Sequence, residues 1–312
     1  MAEATFIPQH KLSDSRYSRT IEIADWIITA TNRPIINAAE TDTLQSNLGF
    51  PLPEMTFGNN SLCLKHKPSN WEYTFKTLEA LRAVKNGELV DGDGGVKVGY
   101  ADAWLKSRTD PDSVLPLPET TPTKHYDWTY TSAYPGHCNI QDAFLPAESS
   151  NANHTIPLSE LTRQDPILFY AEIPLYEDEL HDNGSSHFLI RIRVMPGCIF
   201  ILSRFTLRVD NVLFRAFDTR IYHSLTNSPG IVVRERSGWE APYEQIKRLL
   251  PKKDDLNPLT DHNFIAKSLS LLPSELSQKS GAGTNWRSLG TRLDVAHLDT
   301  NSLQSGIENL KL

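Results

Sequence analysis

The densest polar cluster in the chain is Glu177-Asp178-Glu179-Leu180-His181-Asp182. Carboxylates and an imidazole packed this closely have the composition of a divalent-cation site or an acid/base pair. Their spacing works against both. Consecutive residues on a strand point to opposite faces, so a local run converges on one ion only with a loop and distant ligands. No HExxH, EF-hand loop or second His/Asp cluster supplies such ligands. A solvated acidic strand end and turn is the favoured reading, and a metal-dependent hydrolase using Asp178, Glu179, His181 and Asp182 is its rival. No G-x-S-x-G elbow, Walker loop or G-x-G-x-x-G after a strand is present. The expectation is a non-enzymatic chain with no cofactor and no assigned metal.

A second set of residues suits binding. Arginines stand at 191, 193, 204, 208, 215 and 220, and guanidinium grips carboxylates or phosphates through two parallel hydrogen bonds. Strand alternation predicts that these arginines share a face. The same parity puts Ala216, Asp218, Arg220 and Tyr222 together, a lining suited to a peptide cleft. The competing reading is that the arginines pair with the chain's own Asp and Glu.

The elements that must hold these side chains are legible in part. From about 167 to 223, apolar residues alternate with arginines, with turn chemistry at Asp182-Asn183-Gly184, Met195-Pro196-Gly197 and Asp210-Asn211. This predicts a four-strand antiparallel meander. Ile231 to Glu235 is a further strand candidate, and Tyr243 to Leu250 a helix stopped by Pro251. Upstream, Thr20 to Ile28 reads as one strand, Thr41 to Asn47 as a helix stopped by Gly49, and Ser61 to His66 with Trp71 to Phe75 as a strand pair. Thr77 to Lys85 and Tyr100 to Arg108 read as helices. Alternation over Tyr126-Asp127-Trp128-Thr129-Tyr130 would place the three aromatic rings on one face. The fold class expected is α+β, an antiparallel sheet core with flanking helices. Its domain spans 17–250, with a Pro-rich insertion at about 109–124, a flexible N-terminus over 1–16 and a mostly flexible tail over 251–312.

Composition bounds the rest. The 312 residues carry a formal net charge of −7, so the basic excess that drives phosphate-backbone binding is absent and nucleic acid is not expected. No apolar run approaches the length of a bilayer-spanning helix, and no membrane partner is expected. Cys63, Cys138 and Cys198 are odd in number and form no CxxC pair. With no signal-like N-terminus, these features predict a cytoplasmic protein, with the nucleus also open.

Several segments together resemble a known family: Leu52-Pro53-Glu54-Met55 with Phe57-Gly58-Asn59, Tyr126 to Tyr130, Tyr176 to Asp182, Arg193-Val194-Met195-Pro196, and Asp218-Thr219-Arg220-Ile221-Tyr222-His223. The chain is similar over about Thr20 to Glu235 to the TIPRL family, TOR-signalling-pathway regulators related to the yeast Tap-interacting protein, and to its fungal members in particular. The resemblance implies a mixed α and β fold without catalytic chemistry. It also implies binding to the catalytic subunit of type 2A-like serine/threonine phosphatases, whose C-terminal tail enters a cleft, and sharing of that subunit with the Tap/alpha-type phosphatase regulator. The positions matching the family's binding residues are Glu79, Ile156, Ala216 and Asp218. Glu79 stands where the family can carry Asp, and Ala216 where it can carry Met, with less contact area. Arg220 and Tyr222 join them on strand parity alone. In the mechanism expected, Arg220 or a neighbouring arginine meets the tail's carboxylate, and Asp218 orders a backbone N–H or an arginine. The acidic segment at 177–182 would be structural or a second contact. A structural subunit of some unrelated assembly is the remaining alternative.

Overall fold

The computed structural model describes residues 7–84, 127–147, 155–226, 230–272 and 291–298. Two antiparallel sheets with short helices around them make up an α+β fold. The smaller sheet runs, in spatial order, β1 (His10–Asp14), β2 (Ser18–Ile23), β3 (Trp26–Thr31), β5 (Ser61–His66), β6 (Trp71–Lys76) and β7 (His137–Cys138). The larger runs β4 (Met55–Thr56), β9 (Phe169–Asp178), β10 (Gly184–Met195), β11 (Cys198–Val209), β12 (Leu213–Ser224), β13 (Ile231–Pro242), β14 (Thr291–His297) and β8 (Leu145–Pro146). The helices are α1 (Ala38–Leu48), α2 (Thr77–Arg82), α3 (Leu158–Leu161), α4 (Tyr243–Lys247) and α5 (His262–Leu271).

Strands β9 to β12 are the predicted meander. Pro196-Gly197 joins β10 to β11 and residues 210–212 join β11 to β12, with Asn211 left-handed at φ 60°. The turn before β10 is tighter. Leu180, His181 and Asp182 all have positive φ, and Gly184 follows at φ +148°, where an added Cβ would lie 1.9 Å from the Arg208 carbonyl oxygen. Only glycine fits that approach.

Period-two alternation then sorts the side chains. Ile190, Ile192 and Val194 of β10, with Ile199, Ile201, Phe205 and Leu207 of β11, face inward. They share one core with Ile21, Ile28, Leu62, Leu64, Tyr73 and Phe75 of the smaller sheet. The outer face is covered at two ends. At one end Phe214, Ala216 and Ala241 pack beneath Ile246 of α4 and Ile265, Ala266 and Leu269 of α5. At the other, Met195, Cys198, Tyr222 and Val233 pack with Ile156 and with Leu161 of α3. A polar strip is left between these covers.

The sheets are also joined along an edge. β9 pairs with β4 only at Glu177 and Tyr176, so its carbonyls at 170, 172 and 174 need other donors. Arg19 donates to the Tyr170 carbonyl at 3.0 Å, Asn32 to that of Glu172 at 2.7 Å and Asn60 to that of Pro174 at 2.7 Å. Side chains from the smaller sheet's region thus stand in for a neighbouring strand. Pro174, lacking an N–H, suits such an edge.

Several expectations need correction. Thr20 to Ile28 is not one strand: Ala24, at φ 49°, and Asp25 turn the chain between β2 and β3. The N-terminal 16 residues are not wholly flexible, because β1 pairs with β2 from His10 to Asp14. Asp127 to Tyr130 is a turn rather than a strand, with Tyr130 at φ 52° and Asp127 accepting from Thr129 N–H at 2.9 Å. The Asx geometry outweighs the aromatic alternation. Most consequentially, the segment after 251 contains α5 and β14, and β14 is an interior strand between β13 and β8. The expected helix at 100–108 and the Pro-rich stretch at about 109–124 lie outside the described residues.

Replacing Gly184 with alanine should lower stability by about 2 kcal/mol or more, through the clash and the strained φ. A urea melt of Gly184→Ala beside the wild type checks it, and an unchanged midpoint would contradict the tight turn.

Candidate functional site

The strip is built by cross-strand register. Glu172 of β9 lies opposite Arg191 of β10, Arg204 of β11 opposite Asp218 of β12, and Arg220 of β12 opposite Glu235 of β13. Each opposed pair is an ion pair, the arrangement in which directly facing opposite charges stabilise a sheet. Arg204 donates through Nε and Nη2 to the two oxygens of Asp218 at 2.7 and 2.8 Å, and Arg220 adds a third bond to Asp218 at 2.8 Å. Arg220 also donates to Glu235 at 2.5 Å, and Arg191 to Glu172 at 2.8 Å. Asn263 of α5 closes the remaining gap, its Oδ1 accepting from Arg191 at 3.4 Å and Arg204 at 3.2 Å. The result is one hydrogen-bonded series across five strands.

The structure brings Ala216, Asp218, Arg220 and Tyr222 onto one face, as parity required, but they do not form one accessible lining. Ala216 is sealed beneath α4 and α5. Tyr222 donates its hydroxyl to Glu160 and packs with Ile156 under the other cover. The Asp218 side chain is 0 % exposed, while Arg204 and Arg220 above it are 12 % and 27 % exposed. Asp218 therefore cannot touch a visitor directly. It holds two guanidiniums in place, and those guanidiniums are what the solvent meets. A guanidinium has five N–H donors, and the hydrogen bonds among the described residues engage three or fewer on each of Arg191, Arg204 and Arg220.

Three predicted residues or segments stand apart from the strip. Glu79 lies on α2, whose buried residues Ala80 and Leu81 join the inter-sheet core, and it pairs with Arg82 at 2.8 Å. Arg215, expected beside the other arginines, points inward to Glu240 and Thr131, because its odd position on β12 faces the core side. The acidic segment is a turn. Buried Asp178 accepts from the N–H groups of Leu180 at 2.6 Å and Glu54 at 2.9 Å, tying the β9 end to the chain before β4. Glu179, His181 and Asp182 are exposed. Among the described residues no group of three His, Cys, Asp or Glu side chains is arranged to hold a metal ion.

Beside the strip, His187 of β10 and His262 at the start of α5 stack with ring centroids 4.4 Å apart, and His262 Nδ1 lies 2.6 Å from Thr206 Oγ1. Burial, and then the neighbouring imidazole and Arg191, push His187 down to about 3, against the pull of Glu172. Burial with the charges of Arg191, Arg204 and Arg208 pushes His262 down to about 4, although Asp261 acts the other way.

Sequence reasoning missed Glu172, Glu235, Asn263 and this histidine pair. Register alone would have exposed the two glutamates. It also missed Asp294 of β14, whose side chain is fully buried and meets Arg234 at 2.9 Å, Arg236 at 3.2 Å and Arg292 at 2.9 Å. That cluster pins β14 to β13, with Arg234 stacked 4.0 Å from the Phe144 ring centroid.

A double-sheet α+β protein with an arginine–carboxylate strip between two helical covers is the class that fold and site define. The chain belongs to the TIP41-like family, whose model matches residues 55–247. It is 34 % identical over 267 residues to the type 2A phosphatase activator TIP41 of Saccharomyces cerevisiae, covering 81 % of this chain and 72 % of that one. It is 35 % identical over 227 residues to the human TIP41-like protein, covering 72 % and 78 %. With the type 2A phosphatase activator tip41 of Schizosaccharomyces pombe the identity is 33 % over 238 residues, covering 76 % and 88 %.

Two outcomes follow from the geometry. Asp218→Asn leaves Arg204 nearly buried without its carboxylate and should cost about 3 kcal/mol in a denaturant melt, against about 1 kcal/mol for the more exposed Arg220→Ala, which leaves Asp218 with Arg204. Equal costs would contradict the assignment of Asp218 as anchor. For the histidines, the folded chain resists protonation, so below about pH 6.5 the unfolded chain binds more protons. Their contribution is complete above 6.5 and falls as the pH drops toward 4. Melting temperature should decline from pH 6.5 to 5, and less steeply in His187→Gln and His262→Gln.

Proposed function

We propose that the chain is a non-enzymatic regulator that binds the catalytic subunit of type 2A-like serine/threonine phosphatases and modulates their activity in TOR signalling. The observation that carries this reading is membership of the TIP41-like family together with two relatives named type 2A phosphatase activators. The chemistry of the outer face agrees with it. A strip walled by α5 on one side and the α3 segment on the other would take an extended peptide, and its partly exposed arginines suit a carboxylate at the peptide's end. In this reading Arg204 and Arg220 meet the phosphatase's C-terminal tail, Asp218 acts through them, and Ile156 and Tyr222 support the wall. Glu79 would contact another part of the partner. The Tap/alpha-type regulator is the proposed competitor for the same subunit, and the cytoplasm, with the nucleus, the proposed place of action.

The backbone bonds of Asp178 and the left-handed run from Leu180 to Asp182 favour a structural role for the acidic turn over the rival hydrolase site.

The test is direct binding of the purified full chain to a type 2A catalytic subunit, with phosphatase turnover followed in parallel. Wild type should bind, and Arg220→Ala should weaken binding about tenfold while remaining folded. No binding by the wild type, or full binding by both Arg220→Ala and Asp218→Asn, would overturn the proposal.

A further inference from the structure

The inner face of β13 and β14 carries a charge imbalance that the outer strip does not. Outside, Arg191, Arg204 and Arg220 meet the carboxylates of Glu172, Asp218 and Glu235. Inside, Arg234, Arg236 and Arg292 share the single carboxylate of Asp294. Its Oδ2 accepts from Arg234 Nε and Nη2 at 3.2 and 2.9 Å and from Arg236 Nη2 at 3.2 Å. Its Oδ1 accepts from Arg292 Nε at 2.9 Å. A carboxylate has about four acceptor sites, so Asp294 has none to spare. Among the described residues no other carboxylate pairs with these three arginines, which leaves the cluster with two cations in excess. The other acids of β13 are committed elsewhere, Glu235 to Arg220 on the outer face and Glu240 to Arg215.

Register sharpens the imbalance. Arg234 lies directly opposite Asp294, but Arg236 lies directly opposite Arg292, and like charges facing each other across a ladder destabilise it. Among the described residues each of these two arginines makes one hydrogen bond, and the Arg236 Nε–H is buried without an acceptor. Burial, and then the like charges of Arg234 and Arg292, hold the Arg236 guanidinium below its ordinary value, although Asp294 acts the other way. The cluster opens toward solvent at one end. Side-chain exposure rises from 13 % at Arg234, stacked on Phe144, to 31 % at Arg236 and 60 % at Arg292. Two guanidiniums, one from each strand, stand at that opening.

We infer that Arg236 and Arg292 form a seat for a phosphate group, free or as a monoester, which bridges β13 and β14. A phosphate monoester carries a charge of about −1.5 to −2 at neutral pH, which matches the excess, and its oxygens suit the parallel N–H donors of guanidinium. The seat faces inward, away from the outer strip, and β14 lies beyond the segment matched by the family model. It is therefore independent of the proposed function. An occupant straps the last strand to the sheet by replacing the repulsion between the two arginines with a shared anion.

The experiment uses the full chain at neutral pH and fixed ionic strength, with chloride replaced by inorganic phosphate or by glycerol 2-phosphate. Tm should rise by about 3 °C in phosphate, and the phosphorus NMR line of the probe should broaden. Arg292→Gln leaves Arg234 and Arg236 on Asp294 and removes one of the two opposed charges. In chloride its Tm should equal or exceed that of the wild type, and in phosphate both the gain and the broadening should disappear. Arg236→Gln should abolish the broadening as well. Stronger binding of inorganic phosphate marks a seat for the free ion, and equal or stronger binding of glycerol 2-phosphate a seat for an ester. Equal Tm gains in the wild type and Arg292→Gln are the general effect of an excluded salt and overturn the inference. A wild type that shows neither gain nor broadening overturns it too. So does a loss of Tm in chloride for Arg292→Gln with the broadening retained, since the arginine is then structural only.

Discussion

A carboxylate with no exposed surface is the constraint around which the outer face is organised. Ionised Asp218 is tolerable inside the sheet only because its oxygens receive three bonds from two guanidiniums. That requirement places Arg204 and Arg220 side by side over the carboxylate. Arg220 then reaches Glu235, Arg204 reaches Asn263, and through Asn263 the series extends to Arg191 and Glu172. Breaking a buried pair from the carboxylate side strands a nearly buried cation, which is why so much arrangement depends on one residue.

The covers on either side have a different origin. Ala216 and Phe214 present a low, apolar floor on which α4 and α5 settle, and the apolar end near Tyr222 is closed by Ile156 and Leu161. Burial of these groups is non-directional and follows apolar area. The polar strip lies where neither cover reaches. On the inner face the same logic holds three arginines around Asp294, and along β9 the side chains of Arg19, Asn32 and Asn60 satisfy carbonyls that no strand covers. The two sheets are thus joined by a common core and by polar edge contacts, so the strip rests on a stiff support.

Membership of the TIP41-like family and the geometry of the strip bear on function differently. The family match reaches 247, whereas α5 and β14 lie beyond it and both touch the larger sheet. Asn263, the residue closing the strip, therefore belongs to a part of the chain beyond the segment that the family model matches. Arginines spaced two apart are visible in any reading of 191–220, yet Arg215 shows the limit of that pattern. A single odd position turns it inward to Glu240 and Thr131.

By itself the sequence determined the meander, its turns, and the sharing of one face by Ala216, Asp218, Arg220 and Tyr222, because alternation and turn chemistry are local and follow from backbone sterics. The same local evidence sufficed for α1, with Gly49 left-handed at φ 80° just beyond its end, and for the pairing of β5 with β6. It did not reveal that Asp218 is sealed, that Ala216 lies beneath helices, or that residues 291–297 complete the sheet. Those facts depend on contacts between segments far apart in the chain: Arg204 with Asn263, Asp294 with Arg234, Ala216 with α5. Such contacts are set by which surfaces can be buried together, and no periodicity within one segment records its partner.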